Sequence, residues 1–193
     1  MTAEQAVIAV LLGVGLAMDA FSVSLANGLA DRNMKTGRML AIAGTFAGFQ
    51  FAMPMAGWFF VHHAEEKLEW FGNLVPWIAL GLLLYIGGKM LKEGMEEGRG
   101  QEDPGPLKAG ELVMQGIATS IDALSVGFAV AAYSALQALS SSLIIGAVTL
   151  VICIAGLRIG RRLGTLLAGK ASILGGVILI AIGIEIWIRG VIL

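Results

Sequence analysis

The chain has 193 residues, 57% of them hydrophobic and 14% charged, against ~25% charged in an ordinary soluble domain, which argues against a soluble globular fold. A formal net charge of −1 offers no basic surface for nucleic acid, so no nucleic-acid partner is expected. The single cysteine, Cys153, leaves no room for a disulfide framework or a thiolate cluster within one chain, and the 27 glycines fit helices packed closely in lipid.

A membrane-spanning helix needs ~20 mainly apolar residues. Six such windows follow one another, at about 6–28, 39–61, 74–92, 111–133, 139–157 and 172–192. Inside hydrocarbon each backbone amide must be paired within its own segment, so all six are expected to be helical despite their many valines and isoleucines. The expected fold class is an all-α integral membrane protein of six transmembrane helices, a single membrane domain over 1–193. The first window follows Met1-Thr2-Ala3-Glu4-Gln5, which lacks the basic stretch of a signal peptide, and is expected to be retained.

Asp19 stands near the centre of the first window in Met18-Asp19-Ala20-Phe21-Ser22-Val23-Ser24, with Asn27 near its end. In the second, Gln50 and Met53-Pro54 interrupt an apolar run, and the proline frees a carbonyl one turn earlier. His62-His63-Ala64-Glu65-Glu66 behind it reads as a solvated cap, with metal capture or release as the alternative. The third window carries Lys89 late, in Ile86-Gly87-Gly88-Lys89-Met90. A polar stretch then includes Gly98-Arg99-Gly100-Gln101-Glu102-Asp103-Pro104-Gly105-Pro106, too poor in apolar residues to bury a core and suited to a linker. The fourth window holds Thr119-Ser120-Ile121-Asp122-Ala123-Leu124-Ser125-Val126, the fifth holds Cys153, and the sixth holds Glu185 in Ile182-Gly183-Ile184-Glu185-Ile186. Gly44 and Gly48, and Gly156, Gly160 and Gly164, have the spacing of close helix contacts. Gly164 to Lys170 nearly spells a phosphate-binding loop, but Ala171 replaces the required hydroxyl residue and no strand precedes it.

Lysines and arginines gather after the first, third and fifth windows, at Arg32, Lys35, Arg38, Arg99, Lys108, Arg158, Arg161, Arg162 and Lys170. These loops are expected to be cytoplasmic, with both termini outside. Met18 to Ser24 also aligns with Ile121 to Gly127 at an offset of 103 residues, which pairs Asp19 with Asp122 and Gln50 with Cys153. Three windows precede the linker and three follow it, so counterpart helices cross in opposite directions. The expectation is two inverted three-helix repeats, one over about 1–95 and one over about 108–193, joined by a cytoplasmic linker at about 93–110.

An aspartate at the bilayer centre costs ~2.5–3.5 kcal/mol on insertion scales, and a duplicated pair points to function more than to packing. Two carboxylates brought to similar depth suit a hard divalent cation, with hydroxyls, amides or water completing its shell. Empty, the pair is expected to hold protons that metal loading displaces, a route to antiport. Ser22 and Ser125 lie three residues beyond each aspartate on the same helical face, and Ser24, Asn27, Thr119 and Ser120 add nearby oxygens. For the hydroxyls, bonds to their own helix are the competing role. Gln50 is expected to face protein or water, and the Met53 sulfur favours a softer transition metal or simply fills a gap. Lys89 and Glu185 carry opposite charges and are candidates for an ion pair or proton relay. With no nucleotide-binding segment, transport has to draw on an ion gradient. No enzyme activity and no resident cofactor are expected. Two other readings stand beside metal transport: an exporter of amino acids or other small solutes, and an intramembrane aspartyl protease, whose Gly-x-Gly-Asp and Tyr-Asp contexts are absent here.

Met18-Asp19-Ala20-Phe21, Phe49-Gln50-Phe51-Ala52-Met53-Pro54-Met55-Ala56-Gly57-Trp58, Ile86-Gly87-Gly88-Lys89-Met90 and Ala118-Thr119-Ser120-Ile121-Asp122-Ala123-Leu124 together resemble the MntP-type manganese efflux pumps, related to the lysine-exporter superfamily. The resemblance spans nearly the whole chain. It implies a bacterial inner-membrane exporter, Mn(II) as transported substrate with protons and the lipid bilayer as partners, Asp19 and Asp122 as essential acids, and Gln50 as part of the second-span motif. Ser22 and Glu185 depart from the family pattern and rest on their positions alone.

Overall fold

A computed structural model describes residues 2–31, 33–63, 77, 80–81, 83–89, 91–92, 95, 107–130, 133–167 and 171–191. The described residues are helical, with no strand among them: α1 (Ala3–Ala30), α2 (Thr36–His63), α3 (Ala109–Ala118), α4 (Ile121–Ala129), α5 (Ala135–Leu167) and α6 (Ala171–Val191), together with a helical stretch at 83–89. Three of these helices contain spans long and apolar enough to cross a membrane, Ala3–Ala30, Thr36–Phe60 and Ala135–Gly164. Their outward residues, among them Leu11, Leu40, Leu136 and Val151, are exposed hydrocarbon, a surface suited to lipid.

Local chemistry sets the ends. Thr2 and Gln5 cap α1 reciprocally, Gln5 N–H donating to Thr2 Oγ1 at 3.2 Å and Thr2 N–H to Gln5 Oε1 at 2.9 Å. The window at 111–133 is not one helix. It breaks at Thr119–Ser120, where the hydroxyls of Thr119 and Ser120 donate to Gln115 O at 2.9 Å and Gly116 O at 2.6 Å. Side chains that bond the preceding turn compete with the helix ladder. The window at 139–157 is longer than expected, since α5 runs from Ala135 to Leu167. Seven residues of the third window and most of the linker lie outside the described residues.

Two ends can be told apart. Arg38, Lys89, Lys108 and Arg161 mark a basic end, and Trp58, Trp77 and Trp187 an aromatic end, where Trp77 and Trp187 meet edge to face at 5.2 Å. Contacts fix the relative directions. Gly13 faces Ile145 and Val148, Gly156 faces Phe21 and Ser24, and Gly160 faces Leu25 and Gly28, so α1 and α5 run the same way. Gly116 against Phe49 and Gly127 against Pro54 and Gly57 set α2 parallel to α3 and α4. Leu16 clusters with Ala123 while Asn27 reaches Gln115, so α1 runs opposite to α3 and α4. Leu83 against Gly183 and Gly87 against Gly176 set the stretch at 83–89 opposite to α6.

The closest approaches need glycine. A Cβ on Gly160 would run into Leu25 O and Gly28 Cα, and one on Gly57 into Leu124 O and Gly127 Cα. Without a hydrophobic force between helices in lipid, such backbone proximity supplies the packing. Gly44 and Gly48 do not share this role: among the described residues nothing stands within 4 Å of a Cβ at either.

Candidate functional site

Gln50 occupies the meeting point of α1, α2 and the α3–α4 break. Its side chain is 0% exposed, and its Nε2 donates to Thr119 O at 2.8 Å and to Leu16 O at 3.3 Å. Those carbonyls stand at the same 103-residue offset as the aspartates, and each lies three residues before its aspartate. One amide therefore clasps two counterpart positions on oppositely directed helices. Asp19 sits ~4.5 Å of helix rise beyond the clasp, and Asp122 three residues beyond it across the break, in the opposite direction. The Cα–Cβ bond in a helix tilts toward the N-terminus, so both side chains start back toward Gln50. The Gln50 Oε1 atom is buried with no hydrogen-bond partner among the described residues. A buried carboxamide oxygen without a donor is unfavourable by ~1–3 kcal/mol, which a cation ligated there would relieve.

The aspartates differ in setting. Asp19 is half-buried in the middle of continuous α1, whereas Asp122 is exposed in the first turn of α4, with Oδ1 accepting the Ala123 N–H at 2.9 Å. A carboxylate in a first turn also suits the positive end of the helix dipole. Among the described residues no three His, Cys, Asp or Glu side chains cluster, so a cation here would draw on two carboxylates and neutral oxygens.

Ser22 spends its hydroxyl proton on Met18 O at 3.0 Å, the intrahelical role weighed for it. Met53 is half-buried and packs on the cluster of Leu16, Ala123 and Ile145, beside the Gln50 clasp. The Ser125 side chain and residues 64–66 behind the histidine pair lie outside what the structure describes. Asn27 is 4% exposed and engaged with Gln115: its Nδ2 donates to Gln115 Oε1 at 2.7 Å and the Gln115 Nε2 donates to its Oδ1 at 3.2 Å. It is a clasp between α1 and α3, set toward the basic end from the aspartates. Lys89 pairs with Glu111, not Glu185. The antiparallel packing of 83–89 on α6 puts Lys89 toward the basic end and Glu185 toward the aromatic end, beyond Gly183. Ser24, beside Cys153, is fully buried between α1 and α5. Sequence reasoning passed over Gln115 and Glu111, though a glutamine inside an apolar window is the same kind of signal that marked Gln50.

These features define a multi-pass helical membrane protein with polar side chains gathered where its helices meet. The family described as "Putative manganese efflux pump" matches residues 33–187. The chain is similar to "Putative manganese efflux pump MntP 2" of Clostridium botulinum, 40% identical over 190 residues covering 93% of this chain and 92% of that one. It is 42% identical over 175 residues to the MntP protein of Gloeothece citriformis, covering 91% and 90%, and 40% identical over 176 residues to that of Methanosarcina mazei, covering 91% and 92%. The chain belongs to the manganese efflux pump family. No solved structure matches it.

Proposed function

We propose that this protein exports Mn(II) from the cytoplasm through a site built on Asp19, Asp122 and Gln50. The observation that carries the reading is the Gln50 clasp, which joins the backbones one turn before each aspartate and leaves its own carbonyl oxygen buried without a donor. Two carboxylates neutralise a dication, and an amide oxygen is a hard ligand that manganese accepts. The family relatives are named for manganese efflux, which supports this cargo over an amino acid or another solute.

The transport cycle in this reading is proton antiport with alternating access between two inverted three-helix repeats. The opposed directions of α1 and α3–α4, and the parallel pairs α1 with α5 and α2 with α3–α4, support it, because they are the relations that a pseudo-twofold axis in the membrane plane would produce. The basic end faces the cytoplasm, both termini face outward, and the membrane is the bacterial inner one. Moving a dication out against 100 mV costs ~4.6 kcal/mol, and two protons returning through the same carboxylates offset that electrically.

The test is cellular manganese in an exporter-deficient bacterium carrying wild type, Asp19→Asn, Asp122→Asn or Gln50→Leu, with membrane insertion measured in parallel. Wild type restores low manganese and the aspartate variants do not. Full export by either Asp→Asn variant overturns the site, and rescue by wild type of amino-acid tolerance without any change in manganese overturns the cargo.

A further inference from the structure

We infer that Asn27 and Gln115 form the gate that seals the cytoplasmic end of the transport path, an inference that rests on the transport reading above. The two buried carboxamides exchange hydrogen bonds between α1 and α3, at 2.7 and 3.2 Å. Asn27 lies eight residues after Asp19 in continuous α1 and Gln115 seven before Asp122, so the pair closes the helix interface ~12 Å nearer the basic end than Asp19. Ala20 and Val23 on α1, between Asp19 and Asn27, are fully buried, and Ala118 on α3 is 2% exposed, so the interval is filled.

Three further polar contacts join the two halves of the chain at this end. Arg38 Nη2 donates to Leu107 O at 2.9 Å, Arg161 Nη1 to Met34 O at 3.1 Å, and Lys89 pairs with Glu111. The aromatic end differs. There a cleft enters between α1, α2, α4 and α5, lined by Gln5, Leu12, Pro54, Tyr133, Ser141 and Ile145, with room for about one water. Its Ser141 hydroxyl is buried with no hydrogen-bond partner among the described residues. A path sealed at one end and indented at the other is one of the two end states that alternating access requires.

The chemistry suits a gate. A neutral amide pair does not trap a passing dication as a carboxylate does, and each amide regains hydrogen bonds from water when the pair parts, so opening is a small net change. Parted, the two amide oxygens are hard ligands on the way to the acids.

The experiment reads conformation without metal. Val23→Cys, 0% exposed in the parent and one turn nearer the acids than Asn27, serves as reporter in a Cys153→Ala background, in vesicles treated with a membrane-impermeant maleimide on the side of the basic end. With the gate intact labelling is slow. Asn27→Ala with Gln115→Ala raises the rate from that side by about tenfold, the effect of losing two hydrogen bonds of ordinary net strength. Asn27→Gln with Gln115→Asn keeps the pair and returns labelling toward the slow rate, separating gating from misfolding. Unchanged labelling in the alanine pair overturns the inference, as does equal acceleration from both sides or in the exchanged pair. Because no manganese is added, an error about the cargo leaves this result standing, and manganese export with an unresponsive reporter refutes the gate alone.

Discussion

Two counterpart segments carry nearly the same motif and fold differently. Asp19 belongs to a 28-residue continuous helix, while Asp122 follows a break that leaves helices of 10 and 9 residues. The cause lies one turn earlier. Leu16 and Ala17 have no side-chain hydrogen-bonding groups, whereas Thr119 and Ser120, at the same offset, turn their hydroxyls back onto Gln115 O and Gly116 O. Asp122 then takes the Ala123 N–H itself. A duplicated acid thus lies within a continuous helix on one side and in a first turn after a break on the other. In the proposed transport cycle that break serves as a hinge, a place where backbone dihedrals change without unpacking a whole helix.

Removing either acid tests the comparison most severely. Asp19→Asn and Asp122→Asn each keep size and hydrogen bonding while deleting the charge, and each is expected to lower export at least ~100-fold, a loss of ~2.8 kcal/mol of differential stabilisation of the bound dication. Initial rates of manganese release from loaded cells measure this. If the hinge matters, Asp122→Glu recovers more activity than Asp19→Glu, because an exposed first-turn side chain accommodates an added methylene more readily than a half-buried one. Equal recovery removes the distinction between the two segments. Gln50→Leu comes next, at about a tenfold loss of export. It deletes the donor to Leu16 O and Thr119 O and the unpaired oxygen together, so protein stability falls by only ~1–2 kcal/mol while the site loses its clasp. Gln50→Glu restores an oxygen but not the donor, and export well above the leucine variant would show that the oxygen, and not the clasp, is what the glutamine supplies.

The helical class and the three long apolar spans were legible because hydropathy is summed over ~20 residues, and lipid leaves the backbone few alternatives. Asp19, Asp122 and Gln50 were legible for the same reason: a polar side chain in an apolar run is costly enough to stand out. The break at Thr119–Ser120 was not, because hydroxyls in a membrane helix usually bond the preceding turn without ending it, and the Gln50 amide that meets the Thr119 carbonyl is brought there only by tertiary contact. The pairing of Asn27 was not legible for a related reason. Its partner Gln115 is 88 residues away, and no local pattern announces a pair made by tertiary contact. Gly44 and Gly48 show the limit of spacing rules, since Gly156 and Gly160 have the same interval and are buried against α1.

Exchanging the residues before the aspartates probes the hinge itself. Thr119→Leu with Ser120→Ala gives the second segment the apolar pair of the first, and is expected to heal the helix, slow amide exchange at Ala123 and reduce export about threefold, a change of ~0.7 kcal/mol in the transport barrier. Hydrogen exchange and export are measured on the same variant. Slowed exchange with unchanged export would mean that the break is a structural accident of two hydroxyls and plays no part in the cycle.

The weakest effect is expected where the third and sixth windows diverge. Ile86-Gly87-Gly88-Lys89 and Ile182-Gly183-Ile184-Glu185 are similar in sequence, yet Lys89 pairs with Glu111 across the two halves at the basic end while Glu185 is exposed toward the other end. The lysine side chain is 34% exposed and the glutamate 15%, so solvent screens the pair and its net stabilisation is at most ~1 kcal/mol. Lys89→Met keeps the hydrocarbon stem, and is expected to shift thermal stability by a few degrees or less and to lower export less than twofold. Glu111→Gln should match it, and the double variant should add little, because the second change removes a partner already lost. A loss of export as large as that of Asp19→Asn would place Lys89 in the cation path and move the site toward the basic end, away from Gln50. Additive losses from the two single variants would show that Glu111 acts on something other than Lys89.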